Sequence, residues 1–459
     1  MDKSIIKNRV GKTPILRARN LEKELGISKI YLKLEGNNPS GHRLDRLAYL
    51  LIKDAISVNK RTICLGTFGN LSKTIAFLSK YYEVDCVFIL PKNSEFAKDE
   101  IFSSPNIKII EHGQTPADCI EYSRELAEKN GWYNANPGME NNILYMIALS
   151  SIAHELNRQI KGEINTVFSL LSYGFSVSGL DLGFRRLWID EKIKRLPMLY
   201  SCTIKEGNVI YESYKKNSSK ILPMSNEHVE ITKYNKHLVN LESSIAQDAL
   251  DAIYDTNGKV TGVSEEELIH YVKRFRELEN VNFSIANGYP IAGFMKEAEK
   301  GNISDGTHVI LLNDGRVDLD IRQFDKDEDD ITKEEIAELT KEWLVEFADP
   351  IYEIKDALNN AFENGFIFLA YHDNELAGIC IIINTGFETF IPTYHLAYIA
   401  TNKHSKGRGI GTQLLTKAIE ATEGNLSLHV ESDNDRAIKL YEKMGFEKSY
   451  YRMIHKGWK

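Results

Sequence analysis

The sequence predicts an α/β chain of two joined domains, each organised around its own sheet system. Three observations carry this. From Ile30 to about Gly315, short apolar β-rich runs alternate with longer amphipathic stretches. A charged, apolar-poor stretch, residues 324–332, then breaks that rhythm. Beyond it, an apolar strand from His395 runs into a glycine-rich turn and an amphipathic helix.

The first alternation places strands at Ile30–Leu34, Thr62–Leu65, Cys86–Leu90, Ile107–Ile110, Thr166–Leu171, Met198–Thr203 and Thr307–Leu312. Helices are expected at Leu44–Val58, Leu71–Lys80, Ala117–Lys129, Val177–Trp188, Glu265–Glu279 and Tyr289–Lys300. Strand–helix alternation reads as βαβ units around mostly parallel sheets, and the run is too long for one sheet, so two lobes are expected. With 459 residues and a prior of about 150 per domain, a second domain is expected after the break. The strand-like run VDLDIRQF opens it, giving domains 1–316 and 317–459.

Composition narrows the functional class. With 42% hydrophobic and 27% charged residues the chain can bury a sizeable core. A formal charge of −8 argues against nucleic acid and anionic membrane as partners, which need a concentrated positive field. It leaves room for a local anion site built from backbone N–H groups. The five cysteines, Cys64, Cys86, Cys119, Cys202 and Cys380, are scattered and form no CxxC pair, so a reduced cytoplasmic setting is expected and no metal site. The start, MDKSIIKNRVGKTP, lacks the apolar core of a signal peptide, and no apolar run approaches a membrane span.

The glycine-rich turn reads Lys406-Gly407-Arg408-Gly409-Ile410-Gly411. Glycines admit positive φ and close approach of a ligand, and the turn presents N–H groups at a helix N-terminus, which suits a pyrophosphate. Strand candidates Phe366–Tyr371 and Leu376–Ile383 precede it. Leu426–Val430 and then Asn434-Asp-Arg-Ala-Ile-Lys-Leu-Tyr441-Glu-Lys-Met-Gly445-Phe446 follow it. This order resembles the GNAT superfamily of acyl-CoA N-acyltransferases, with Lys406 replacing the usual arginine or glutamine of the loop. The resemblance covers residues 317–459 and implies an α/β fold with a mixed sheet and acetyl-CoA as cosubstrate. It implies Tyr441 as the general acid for the leaving thiolate, Ile399 and Thr401 as backbone guides for the pantetheine arm, and Asn434 as a CoA contact. A glutamate used as base in the ribosomal-protein branch aligns with His429, whose imidazole suits the role near neutral pH. His395, Glu388, Glu431 and a water chain stay open as alternatives.

A second resemblance lies upstream. Gly11-Lys12-Thr13-Pro14 and Glu35-Gly36-Asn37-Asn38-Pro39-Ser40-Gly41-His42-Arg43-Leu44-Asp45-Arg46 resemble the threonine synthase group of fold-type II pyridoxal-phosphate enzymes. So do Gly66-Thr67-Phe68-Gly69-Asn70-Leu71-Ser72 and Val263-Ser264-Glu265-Glu266-Glu267-Leu268. The resemblance spans about residues 8–315 and implies a two-lobed body with parallel sheets, commonly a homodimer. It also exposes departures. Leu44 stands where the family's Schiff-base lysine would be, Leu171-Ser172-Tyr173-Gly174-Phe175-Ser176 replaces the phosphate cup, and Asn313-Asp314-Gly315-Arg316 replaces the family's closing motif. A leucine forms no imine, so pyridoxal phosphate is not expected as a covalent cofactor. Asn70 and Ser72 remain candidates for holding a carboxylate in the altered cleft.

These readings together predict an N-acetyltransferase acting on a primary amine, an amino acid or related small metabolite, with a protein amine as the other acceptor class. The body then binds substrate, regulates or dimerises. A ligand-sensing scaffold with a non-catalytic acetyltransferase fold is the alternative, and a working pyridoxal-phosphate enzyme using Lys33 or Lys12 is a further one.

Overall fold

The computed structural model describes residues 9–66, 69–92, 94, 100–138, 141–224, 229–279, 281–315, 319–326, 329, 331–372, 375–402 and 409–449. The chain divides into two compact units, residues 10–318 and a second unit containing residues 319–459.

In the first unit the elements run β1 (Ile15–Arg17), α1 (Arg19–Leu25), β2 (Ile30–Leu34), α2 (Asp45–Ser57), β3 (Thr62–Gly66), α3 (Asn70–Tyr82), β4 (Asp85–Leu90), β5 (Ile107–Glu111), α4 (Pro116–Asn130), β6 (Tyr133–Asn134) and α5 (Asn142–Gln159). They continue with β7 (Thr166–Leu170), α6 (Phe175–Ile189), β8 (Met198–Ile204), α7 (Val209–Lys215), α8 (Ala246–Asp255), β9 (Lys259–Val263), α9 (Glu265–Leu278), α10 (Tyr289–Glu299) and β10 (His308–Leu312). Two sheets result, a six-stranded one ordered β1-β2-β10-β7-β8-β9 and a four-stranded one ordered β5-β4-β3-β6. All pairings are parallel except the antiparallel edge β1–β2. The two expected lobes are therefore two parallel sheets, and β7 and β10, buried at every position, read as continuous apolar runs because helices cover both faces.

Local sequence sets several boundaries. Thr115 and Asp118 close a capping box on α4, and Ser264 and Glu267 close another on α9, so the Val-Ser-Glu-Glu-Glu run is a helix start. Gly36 is required by close approach, since a Cβ there would sit 2.3 Å from Asp314 O, and its N–H donates to Gly315 O at 2.9 Å. That contact fixes the loop after β2 beside the loop after β10, at the carboxyl ends of adjacent strands.

The second unit contains β11 (Asp320–Gln323), α11 (Lys333–Leu344), α12 (Ile351–Asn364), β12 (Phe366–His372), β13 (Glu375–Asn384), β14 (Tyr394–Thr401), α13 (Ile410–Ala421), β15 (Leu426–Leu428) and α14 (Asp435–Lys443). Its sheet runs β11-β12-β13-β14-β15, antiparallel until the parallel last pair, so it is mixed. One face packs on α11 and α12 through Ile336, Ile354 and Leu358, and the other on α13 through Leu414, Leu415 and Ala418. The strand expected over Leu426–Val430 stops at Leu428, so His429 follows the strand and does not lie within it. Among the described residues no helix is long and apolar enough to cross a membrane, and no side-chain group has the make-up of a metal site. All five cysteines are buried and form no disulfide.

Candidate functional site

The acetyltransferase-like site is built by an irregularity in β14. Ile381 pairs with Tyr398 but Ile382 pairs with Leu396, so Ala397 is an extra residue on β14. Such a bulge bends a strand and increases its twist. On its other side β14 pairs with β15 only at Tyr394–Leu426, His395–Ser427 and Leu396–Leu428. Beyond Leu396 that edge is unpaired among the described residues, and the two strands part.

The direction of the backbone groups follows from strand alternation. Asn402 N donates to Ala377 O of β13 at 3.0 Å. With a period of two, the backbone groups of Ile399 and Thr401 turn the opposite way, to the open edge. An extended chain bearing amides can pair there as an added strand would. Next to it, Gly409 enters α13 in the left-handed region at φ 78° and has no side chain to cap the helix. A Cβ on Gly411 would lie 3.4 Å from Leu440 Cδ2 and 3.9 Å from Thr401 Cγ2, which places the first turn of α13 beside the end of β14. Uncapped first-turn N–H groups with the positive end of the helix dipole suit a phosphate. Lys406, Gly407 and Arg408 lie outside the described residues.

Two histidines meet where the strands part. The ring of His395 on β14 lies 4.5 Å from that of His429, and His395 Nδ1 is 2.9 Å from Ser427 Oγ. His429 is exposed and His395 half-buried. Glu388 is exposed in the loop between β13 and β14, and Glu431 is exposed before α14. Tyr441 projects from α14 into the core cluster that holds Cys380 and Leu414. Burial, with a lesser push from Cys380, raises its phenol to about 12. It therefore keeps its proton at neutral pH. Asn434 is the N-cap of α14, its side-chain oxygen accepting from Ala437 N at 3.1 Å. That oxygen therefore has a structural duty at the helix start.

In the first unit the altered motif surrounds the start of α2. Leu44 is the residue before the helix and is half-buried. His42 is buried, with Leu44 N 3.2 Å from its Nδ1 and Asn70 Nδ2 3.3 Å from its Nε2. Burial, then the neighbouring Arg43 and His237, hold His42 down to about 3, so it is neutral. Asn70 is exposed at the start of α3, whereas Ser72 is buried and donates to Gly69 O at 2.8 Å. The structure thus joins Asn70 to His42 and turns the Ser72 hydroxyl into its own helix. Thr67, Phe68 and Arg316 lie outside the described residues.

Lys33 has a different place. Fully buried on β2, its ammonium donates to Thr13 O at 2.7 Å, Glu155 Oε2 at 2.7 Å and Gln159 Oε1 at 3.0 Å. Arg46 reaches the same Glu155 at 2.7 Å and Glu35 at 2.7 Å. Burial drives Glu155 up, but the Arg46 guanidinium and Lys33 outweigh it and hold the carboxyl well below the usual range. Lys12 is exposed. Arg43, to which no sequence motif assigns a role, reaches Ser176 on α6. Its place beside Leu44 is the one local signal.

Comparison with known proteins matches both units. The profile of the pyridoxal-phosphate dependent enzyme family matches residues 6–315, and that of the acetyltransferase (GNAT) family matches residues 329–446. A threonine synthase of Methanocaldococcus jannaschii is 26% identical over 311 residues, 66% of this chain and 74% of that protein. A threonine synthase of Methanosarcina acetivorans is 22% identical over 310 residues, 67% of this chain and 75% of that one. Among solved structures, threonine deaminase isoform 2 from Solanum lycopersicum aligns with a TM-score of 0.56 at 16% identity, over 68% of this chain and 82% of its own. Maize serine racemase aligns at 0.55 and 19% identity, over 69% and 94%. At these identities the structures establish the fold alone.

Proposed function

The chain belongs to the pyridoxal-phosphate dependent enzyme family and carries a GNAT acetyltransferase domain after that body, and from this premise we propose that it transfers acetyl from acetyl-CoA to a primary amine. The acceptor is an amino acid or related small metabolite, the class that the amino-acid enzymes resembling its body suggest. The observation that carries the reading is the parted β14–β15 edge, with Ile399 and Thr401 facing it and the uncapped α13 beside it. The amine nitrogen attacks the thioester carbonyl carbon, and the C–S bond breaks as that centre collapses. The nitrogen's proton passes to His429 or to water, and the Tyr441 phenol, protonated at neutral pH, donates to the departing sulfur.

The family match implies pyridoxal phosphate, and the body's residues do not fit it as an imine-bound cofactor. Leu44 takes the position that motif resemblance gives to the lysine. Lys33, the lysine on the adjoining strand, spends its three donors in a buried network. We read the body as a binding and dimerising module. Its exposed apolar residues Ile143 and Ile147 on α5 and Leu182 and Ile189 on α6 supply a surface for a second copy.

The test is thiol release from acetyl-CoA with amino acids, diamines and short peptides as acceptors. Release with one class, reduced in Tyr441→Phe, supports the reading and names the acceptor. Failure to bind acetyl-CoA overturns it in favour of a scaffold. A visible imine band after addition of pyridoxal phosphate overturns the reading of the body alone.

A further inference from the structure

We propose that His395 is a positioning residue for acetyl transfer, a second imidazole that orients His429 and shares the proton His429 takes from the amine. The proposal rests on the acetyltransferase reading and deepens it.

The two faces of the sheet in the second unit divide the chemistry. Leu396 and Leu426 belong to the core cluster under α13 and α14, and Leu428 packs against it. Alternation along the strands then turns His395 and Ser427 to the other face, the one that carries α11 and α12. The pairing agrees. His395 lies opposite Ser427 on β15 and opposite Ile383 on β13, and Ile383 packs in the α11–α12 cluster. His429, two residues past Ser427, stays with them, its ring 4.5 Å from that of His395 and tilted by 53°. Tyr441 lies in the cluster on the opposite face. A thioester set between the parted strands therefore meets a phenol from one face and imidazoles from the other. Direct displacement needs that separation, because one proton leaves the amine while another reaches the sulfur.

The hydrogen bonds assign the two nitrogens of His395. The Ser427 hydroxyl donates to Tyr394 O at 3.3 Å. It has one proton, so its oxygen accepts from His395 Nδ1, 2.9 Å away. His395 is then the Nδ1–H tautomer, and its Nε2 carries the lone pair. The ring stands on β14 with a strand paired on each side. His429 comes after β15 has ended and is exposed. The ring fixed on the strand thus steadies the ring beyond it.

The proton is accounted for at each point. The amine's N–H bond breaks as its nitrogen bonds to the carbonyl carbon, and the proton bonds to a ring nitrogen of His429. The imidazolium so formed has the His395 lone pair beside it. Two imidazoles this close titrate as a pair, and a pair that holds one proton resists a second. Once the thiol has left, the pair returns its proton to water.

The experiment is steady-state thiol release from acetyl-CoA by the full chain, with the amine found active for the wild type, beside calorimetry of acetyl-CoA binding. His395→Phe keeps an aromatic ring and lowers kcat about tenfold, with acetyl-CoA affinity within about twofold of the wild type. Ser427→Ala removes the acceptor that sets the tautomer, lowers kcat several-fold, and adds nothing in the His395→Phe background. His395→Phe likewise adds nothing to His429→Ala, since a positioning residue acts only through the residue it positions. Added imidazole restores part of the kcat lost in His395→Ala, which a packing role does not allow. Nitrogen NMR of the histidine rings shows an Nδ1–H signal that Ser427→Ala removes. No loss in His395→Phe, a loss confined to acetyl-CoA affinity, or an equal loss with and without His429 overturns the proposal and leaves acetyl transfer standing. A wild type that binds acetyl-CoA and releases no thiol with any amine overturns both.

Discussion

Truncation of Glu155 tests whether Lys33 is spent in the core. Glu155 accepts from Lys33 Nζ at 2.7 Å, Arg46 Nη1 at 2.7 Å, Arg46 Nη2 at 2.9 Å, Lys12 N at 2.7 Å and Thr13 N at 3.2 Å. In Glu155→Ala, Arg46 keeps Glu35, but fully buried Lys33 keeps only Thr13 O and the Gln159 amide oxygen, so an ammonium remains without a carboxylate in contact. Removing one partner of a buried pair costs about 3–5 kcal/mol. That is a large share of the roughly 5–15 kcal/mol that holds a domain together. The assay is hydrogen exchange in increasing urea, read on peptides from α5 and β2, which reports the body apart from the acetyltransferase unit. Lys33→Met combined with Glu155→Leu recovers about half the loss, because an apolar pair needs no desolvation. A loss under about 1 kcal/mol for Glu155→Ala refutes the network and frees Lys33 for chemistry.

The same network gives a pH dependence. Glu155 is held below its ordinary 4.5 in the fold, burial being outweighed by Arg46 and Lys33. A carboxyl depressed in the folded state binds fewer protons there than when unfolded. Its stabilisation is therefore full above about 4.5 and lost as pH falls toward the folded value. Urea midpoints of the body should fall on acidification from pH 5 to pH 3, and fall less in Glu155→Ala.

Three further outcomes are expected. Tyr441→Phe lowers the rate of thiol release by about 10²-fold or more with acetyl-CoA affinity little changed, measured by steady-state kinetics and calorimetry. Ile399→Pro removes an N–H from the open edge of β14 and weakens acetyl-CoA by roughly 5–10-fold, the worth of one hydrogen bond, read by calorimetry. Ile147→Asp with Ile189→Asp puts charge on the exposed apolar faces of α5 and α6 and halves the mass seen by light scattering; a monomeric wild type removes the dimer reading.

What the sequence made legible follows the range of the interaction that encodes it. β2, β4, β8 and β10 were legible because helix-covered parallel strands are near-continuous apolar runs. The turn into α13 was legible because a left-handed entry calls for a residue such as Gly409. α5 was missed because its first half, Ile143 to Leu149, is apolar on all sides, leaving no stripe of period 3.6. β9 was missed because its five residues include Gly262, which stands where a Cβ would meet Tyr211 Oη at 2.4 Å. The extra residue at Ala397, on which the parted edge depends, has no local mark, since it exists only in the register between β13 and β14. Arg43 shows the same limit from the other side. In the sequence it is one basic residue beside a leucine. Only the fold brings it to Ser176, 133 positions away. Leu44 was thus readable as a departure from the motif it resembles, whereas the placing of Arg43 beside Ser176 depends on contacts that no spacing encodes.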